Sequence, residues 1–200
     1  MKAQTRARIA ALLRRRSRWH WFTLACVIAI GLSSILDYAG AFGYSGDDWR
    51  KFDKKSFPVS RCIDGDTIVI ASDVGDATVL HLLGVDAPEL PTAHWAENAL
   101  KYTSARTLGR FVTVRLDPIQ SRNDHGELLA YVFITDGDNL NQDIIRDGQA
   151  YADRRVTHSL APQFSAAENE ARKKPRGLWL GLREEQMPPW RREWLWSLHR

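Results

Sequence analysis

Short runs rich in valine and isoleucine alternate with turn residues through the middle of the chain, which is typical of a small β-structure with tight connections. Asp64-Gly65 favours a tight turn between the first two runs, and residues 73–76 form a turn before the third. The first three strands are therefore predicted to form a meander. The predicted strands are residues 57–63, 66–71, 77–85, 111–116 and 128–134.

Apolar residues also recur at helical spacing in three segments. In the first segment Trp95, Ala99 and Tyr102 lie at i, i+4 and i+7, and Gly109 provides a stop. The predicted helices are residues 94–109, 140–147 and 162–174. Five short strands with a helix after the third predict a mainly β protein with helices, that is, an α+β fold. Its centre is a five-stranded OB-type barrel with about three helices.

The N-terminal region contains a long apolar segment behind an arginine-rich one. Residues 21–36 have no charged side chain. With its flanks, residues 20–43, the segment approaches the roughly 20 apolar residues that a membrane span needs. The positive-inside rule then predicts a cytoplasmic tail (residues 1–19), a transmembrane anchor and an extracytoplasmic domain. A cleaved signal peptide is the alternative, since Ala39-Gly40-Ala41 resembles a cleavage site. Under both interpretations the domain is exported.

Composition sets the remaining boundaries. Residues 44–55 are polar and are predicted to be a linker. Residues 56–180 are predicted to be the folded domain, and residues 181–200 form an extension rich in tryptophan and arginine. This extension can cap the barrel, contact a membrane surface or contact a partner. No protein partner is inferred, and the domain is expected to be monomeric.

The net charge of +4 is unevenly distributed and does not by itself predict nucleic-acid binding. Residues 1–19 carry +7 and residues 172–200 carry +5, which leaves −8 for residues 20–171. An acidic domain fits a cation site better than a broad phosphate-binding face. The two cysteines, Cys26 and Cys62, lie in different segments, which excludes a disulfide framework.

Three carboxylates stand out by their positions. Asp66 opens the second predicted strand, Asp86 closes the third, and Glu89 follows in a proline-flanked loop. Because antiparallel neighbours bring the start of one strand beside the end of the next, Asp66 and Asp86 are predicted to converge. Paired carboxylates repel unless a cation joins them, and an oxygen-only set suits a hard ion such as Ca²⁺. Glu89 is then placed to orient or deprotonate a water.

These residues lie in motifs that resemble the staphylococcal-nuclease (thermonuclease) family in order and spacing. The motifs are Asp64-Gly65-Asp66-Thr67, Val85-Asp86-Ala87-Pro88-Glu89, Asp124-His125-Gly126-Glu127, Leu140-Asn141, Arg146-Asp147-Gly148 and Gly177-Leu178-Trp179. The resemblance covers about 125 of the 200 residues.

The resemblance implies an OB-fold barrel with one Ca²⁺ site that hydrolyses DNA or RNA. By position, Asp66 and Asp86 would be carboxylate ligands and Ala87 would offer its backbone carbonyl. Glu89 would be the general base, and Asp64 would contact the ligands or a metal-bound water.

The chain departs from the family pattern at two arginine positions. His81 stands where the family has an arginine five residues before the second metal-binding aspartate. Glu127 stands where an arginine ends the family's Asp-x-Tyr-Gly-Arg motif, and His125 replaces the tyrosine of that motif. In the family these arginines clamp the phosphate, and a bidentate guanidinium is hard to replace. Losing one such donor typically costs about 10²–10³ in rate.

Other residues are candidates to supply the missing positive charge. His81 can serve as a protonatable substitute in catalysis. Arg122, in the same loop as Glu127, and Arg154 and Arg155, after the second helix, are the candidate phosphate-binding residues.

Three functional hypotheses follow. The first is an exported, membrane-tethered, Ca²⁺-dependent nuclease. The second is a binding module on the same fold that does not cut, favoured by the two departures and the acidic middle of the chain. The third is an envelope protein whose C-terminal extension recruits a partner.

Overall fold

The structure is a computed structural model that describes residues 27–28, 46–71, 77–89, 93–134 and 137–197. The predicted N-terminal tail and nearly all of the predicted anchor lie outside these residues, as does the turn predicted at 73–76. Among the described residues, none of the helices has both the length and the apolar character that a membrane crossing requires.

Five strands close into a barrel in the order β1-β2-β3-β6-β5, and two short strands, β4 and β7, pair separately. The strands are β1 (Lys55–Cys62), β2 (Thr67–Ala71), β3 (Ala77–Leu82), β4 (Val85–Asp86), β5 (Phe111–Arg115), β6 (Leu128–Phe133) and β7 (Tyr151–Ala152). Neighbours in the barrel are antiparallel except β3 and β6, which are parallel. The predicted five-stranded barrel and the meander of its first three strands are confirmed.

Five helices surround the barrel in the described part of the chain. They are α1 (Gly46–Phe52), α2 (Ala93–Thr107), α3 (Leu140–Arg146), α4 (Ala161–Lys173) and α5 (Pro189–Ser197). Two 3₁₀ turns, Gly177–Leu180 and Glu184–Gln186, connect the last two. The three predicted helices correspond to α2, α3 and α4, with ends that differ by at most two residues.

Residues 46–52, which were predicted to belong to a linker, form helix α1 instead. Phe52 is buried in the core against Phe57, at 5.6 Å between ring centroids. Asp48 is buried too and accepts hydrogen bonds from Arg122 and Ser121. The polar composition did not indicate this helix, because the partners of its buried carboxylate lie 73 and 74 residues further along the chain.

The predicted third strand, residues 77–85, is divided by a turn. Gly84 adopts a left-handed backbone (φ = +74°), which favours glycine, and its carbonyl accepts a hydrogen bond from Asp153 N at 3.0 Å. Strand β3 therefore ends at Leu82, and Val85 and Asp86 leave the barrel to pair with β7. Asp86 reaches the barrel rim from this second, two-stranded sheet.

The hydrophobic core fills the barrel and the space beneath α3 and α4. Leu140, Ile144 and Ile145 of α3 are completely buried. Asn141, also buried, donates to the carbonyls of Leu83 and Ala130 and accepts from Val132 N. One amide side chain thus ties α3 to β6 and to the turn that leads towards Asp86.

Candidate active site

Asp66 lies at the rim of the barrel, immediately before β2, in a turn that packs closely against α2. A Cβ atom on the preceding Gly65 would lie 2.5 Å from Ala99 Cβ and 2.7 Å from Ala87 Cβ, so only glycine fits without a shift. Thr103 of α2 donates its hydroxyl to the Gly65 carbonyl at 2.5 Å. Helix α2 therefore holds the turn that presents Asp66.

The buried carboxylate of Asp66 joins β2 to the loop that follows β4. Its Oδ2 accepts a hydrogen bond from Ala87 N at 2.6 Å, and its Oδ1 accepts one from the Thr67 hydroxyl at 3.1 Å. Asp66 N in turn donates to Asp64 Oδ1 at 3.1 Å. The residue predicted to be the first metal ligand is thus bonded directly to the segment that carries the second.

Burial raises the pKa of the Asp66 carboxyl well above its usual range. The neighbouring charge of Asp64 acts in the same direction, and so does the charge of Asp86, whereas the Ala87 N–H lowers the pKa. The hydrogen bond from Ala87 N, the residue after Asp86, brings Asp66 beside the segment that carries Asp86. Their predicted convergence comes about through the β4 loop rather than through the end of β3.

Asp86 is paired opposite Tyr151 in the β4–β7 ladder, and donors engage both of its carboxylate oxygens. Arg155 Nη2 donates to Oδ1, and Trp190 Nε1 donates to Oδ2 at 3.2 Å. Burial raises the pKa of Asp86 and Asp153 adds to this effect, while Arg155 and Trp190 lower the pKa. Asp86 is therefore the meeting point of β4, the segment after β7, and α5.

Arg155 and Arg154 are adjacent in sequence but point to different partners. Arg155 contacts Asp86 and also donates from Nε to Asp153 Oδ1 at 2.9 Å. Arg154 instead donates to Glu168 at 3.4 Å and lies over the Trp194 ring, 4.2 Å from its centroid. Of these two candidate phosphate-binding residues, only Arg155 lies at the carboxylate pair.

His81 lies beside Asp66 because the β2–β3 register pairs it directly with Thr67. Its Nδ1 is 3.1 Å from the Thr67 hydroxyl and 3.7 Å from Asp66 Oδ1. The imidazole thus occupies the barrel rim where the family pattern has an arginine, next to one carboxylate of the candidate pair.

Glu89 is exposed on the loop after β4 and lines two neighbouring cavities. One, of about 410 Å³, is shared with Asp86, Arg155 and Trp190. The other, of about 360 Å³, is shared with Asp64. The residue predicted to be the general base thus lines one cavity with Asp86 and another with Asp64, and both cavities have room for a water molecule.

The guanidinium of Arg122 forms an ion pair with Asp48 of α1. Its Nε and Nη2 donate to the two carboxylate oxygens of Asp48 at 2.8 and 2.7 Å, and its Nη1 donates to the Gly126 carbonyl. Glu127 accepts a hydrogen bond from Asn123 within the same loop. Phosphate contact by Arg122 would require breaking a bidentate, half-buried ion pair, so its contacts favour a structural role in holding α1.

The donor chemistry at the barrel rim suits a hard divalent cation. The repulsion that Asp66 experiences from Asp64 and Asp86 is the kind of excess negative charge that such an ion offsets. A carboxylate has about four acceptor positions, so the observed hydrogen bonds leave room for a ligand bond. Within the described ranges, no group of three or more histidine, cysteine, aspartate and glutamate side chains is arranged to hold a metal ion. The assignment of Asp66 and Asp86 as ligands of such an ion therefore stays a prediction.

Sequence reasoning did not place Trp190 at this site. Trp190 contacts Asp86, and Tyr151 is buried against Trp190 with ring centroids 6.3 Å apart. Tryptophan and arginine enrichment near the C-terminus was the available signal, but nothing in that composition indicates which surface the segment covers.

A closed five-stranded barrel with acidic residues at its rim is the architecture of nuclease-type OB barrels. Residues 79–181 match the family described as "Staphylococcal nuclease homologue", and the chain belongs to this family. The family comprises endonucleases and thermonucleases, which are phosphodiester hydrolases.

Named relatives agree with this assignment. The chain is 34% identical over 134 residues to an uncharacterized endonuclease of Escherichia coli O157:H7, an alignment that covers 66% of this chain and 80% of the relative. It is 30% identical over 165 residues to the thermonuclease of Staphylococcus intermedius, covering 78% and 93% of the two chains. It is also 30% identical over 148 residues to the endonuclease YncB of Bacillus subtilis, covering 68% and 67%.

Proposed function

We propose that this chain is an exported Ca²⁺-dependent nuclease that hydrolyses phosphodiester bonds of DNA or RNA. The observation that carries the proposal is the joining of Asp66 and Asp86 through Ala87, with Glu89 on the adjoining loop. Asp66 and Asp86 would hold the ion. A bound Ca²⁺ supplies positive charge that polarises the phosphate and offsets its developing negative charge.

The protein's own residues have separable roles in this proposal. Glu89 accepts a proton from the attacking water, for which its exposure to the shared cavity leaves space. Arg155 supplies a guanidinium that the sequence lacks at positions 81 and 127. Its side chain is half exposed and lines the cavity that Glu89 also lines, so the guanidinium can reach a phosphate oxygen there.

The second candidate function is nucleic-acid or Ca²⁺ binding without hydrolysis. The observation in its favour is Glu127, whose carboxylate stands where the family has an arginine and would repel a phosphate. Binding of Ca²⁺ measured by calorimetry, with no product from DNA or RNA, would support this alternative.

The test of the nuclease proposal is digestion of DNA and RNA by the full chain, with Ca²⁺ and with chelator. Glu89→Gln removes the proposed base and is expected to slow cutting by about 10²–10⁴-fold. Asp66→Ala removes a proposed ligand and is expected to abolish Ca²⁺ dependence along with activity. Glu170→Gln is the matched control, since Glu170 is half exposed on α4 and pairs with Arg176. Cutting that persists unchanged in both site variants, or in chelator, would rule the site out.

We also propose that the domain is extracytoplasmic and tethered to the membrane by residues 20–43. The support is the charge-free segment 21–36 and the seven positive residues before it. A signal peptide that is cleaved near Ala41 remains the alternative, and it gives a secreted domain instead.

A further inference from the structure

Helix α5 lies beyond the family match, which ends at residue 181, yet it reaches the candidate active site. Trp190 donates its indole N–H to Asp86 Oδ2 at 3.2 Å. The same indole ring lies against the Arg155 guanidinium, whose Cζ is 4.8 Å from the ring centroid. One side chain from outside the matched domain therefore contacts both the proposed metal ligand and the proposed phosphate-binding residue.

Helix α5 is anchored in this position by the next residue. The Arg191 side chain is completely buried, and its Nη2 donates to the equally buried Glu168 at 2.7 Å. Four aromatic rings surround its guanidinium, from Tyr151, Trp179, Trp190 and Trp194, with centroids 4.5–5.9 Å from Cζ.

Glu168 also connects α5 to the strand that pairs with β4. Its Oε1 accepts a hydrogen bond from Ala152 N at 3.3 Å, and Ala152 of β7 pairs with Val85. The anchor of α5 and the strand that pairs with β4 thus share one buried carboxylate. This rigid connection explains why Trp190 has a defined position rather than that of a loose surface residue.

Hydrogen bonds to a ligating carboxylate fix its orientation, and removing such a bond typically weakens metal binding or activity by 10–100-fold. A flat ring against a guanidinium likewise restricts the directions in which the arginine can point. Trp190 makes both kinds of contact: it donates a hydrogen bond to Asp86, and its ring lies against the Arg155 guanidinium.

We propose that Trp190 is a positioning residue of the active site, which orients Asp86 for the metal and Arg155 for the phosphate. The inference rests on the proposed nuclease function and deepens it. It makes the C-terminal helix part of the site rather than an appendage of the family domain.

Two substitutions in the full chain separate the two contacts. Trp190→Phe keeps a ring against Arg155 and removes the N–H that bonds Asp86. It is expected to weaken Ca²⁺ binding about 10-fold by calorimetry and to lower kcat, while KM for DNA stays near the wild-type value. Trp190→Ala also removes the ring, so KM is expected to rise as well.

Trp196→Phe is the matched control. It removes an indole N–H from the same helix, but Trp196 is exposed and donates to Glu184 rather than to the site. This variant is expected to match the wild type in Ca²⁺ affinity, kcat and KM. Circular dichroism and urea unfolding of each variant report whether the fold is retained.

The outcomes separate the two proposals. A wild-type chain that binds Ca²⁺ and cuts, with a Trp190→Phe variant that does both equally well, would overturn the positioning role and leave the nuclease function standing. Equal losses in Trp190→Phe and Trp196→Phe would overturn it too, because the effect would then belong to the helix and not to the Asp86 contact. A wild-type chain that neither binds Ca²⁺ nor cuts would remove the nuclease function and the inference that rests on it.

Discussion

Asp86 shows how a single side chain can collect contacts from distant parts of a sequence. Its carboxylate bonds Arg155 and Trp190, which lie 69 and 104 residues away. The family pattern has arginines at two positions that are occupied by His81 and Glu127 in this chain. The guanidinium at the site comes instead from the segment after β7, which the β4–β7 ladder places against Asp86.

The contact between Arg155 and Asp86 predicts that Arg155 contributes to activity and that the adjacent Arg154 does not. Arg155→Ala is expected to reduce phosphodiester cleavage by about 10²–10³-fold, because a charged donor is lost where negative charge develops. Arg154→Ala, with its contacts at Glu168 and Trp194, is the control and is expected to keep most of the rate. Steady-state kinetics on one DNA substrate measures both, and equal losses would argue against a specific role for Arg155.

At the scale of elements, the turn before β2 depends on close packing against α2. Gly65→Ala places a methyl group within 2.7 Å of both Ala87 and Ala99, so the loop that bonds Asp66 must shift. A loss of about 1–3 kcal/mol in the free energy of unfolding is expected, as for other overpacked sites. Urea unfolding measures the loss. Gly181→Ala is the control, because among the described residues no atom beyond its two chain neighbours lies within 4 Å of the added Cβ. Indistinguishable stabilities for the two variants would contradict this packing argument.

The attachment of α5 by a buried ion pair gives a second prediction at this scale. Glu168→Ala leaves Arg191 buried without its carboxylate, which is expected to cost about 3–5 kcal/mol in the free energy of unfolding. Replacing both residues by methionine should restore much of that loss, because the uncompensated charge is then gone.

The control for this pair is Glu170→Ala on the same helix. Glu170 is half exposed and lies 3.6 Å from Arg176, so its loss should cost less than about 1 kcal/mol. Denaturant unfolding compares the three variants. A Glu168→Ala chain as stable as Glu170→Ala would show that the ion pair does not hold α5.

For the whole molecule, the prediction concerns where the chain resides. A retained anchor should place a 22.8-kDa product in the membrane fraction, with the domain accessible to protease from the extracytoplasmic side. A cleaved signal peptide should give a shorter product outside the membrane. Fractionation and immunoblotting distinguish the two, and a full-length product in the soluble cytoplasmic fraction would contradict both.

The local pattern of the sequence predicted most of the barrel. Runs rich in valine and isoleucine, separated by turn residues, predicted the five barrel strands, and helical spacing predicted α2, α3 and α4. Local signals failed at residues 46–52, where a polar segment forms a helix because Asp48 meets Arg122 and Phe52 enters the core. They also failed at β7, a two-residue strand that exists only because β4 lies beside it.

The sequence by itself singled out Asp66, Asp86 and Glu89 as the candidate carboxylate set, because their motifs are short, ordered and tied to turns that local residues specify. Only the tertiary structure decided which positively charged side chain and which aromatic side chain contact this set. Arg155 and Trp190 reach Asp86 through a paired strand and a buried ion pair between distant segments. Contacts of this kind depend on the packing of whole elements, and no spacing of residues along the chain encodes them.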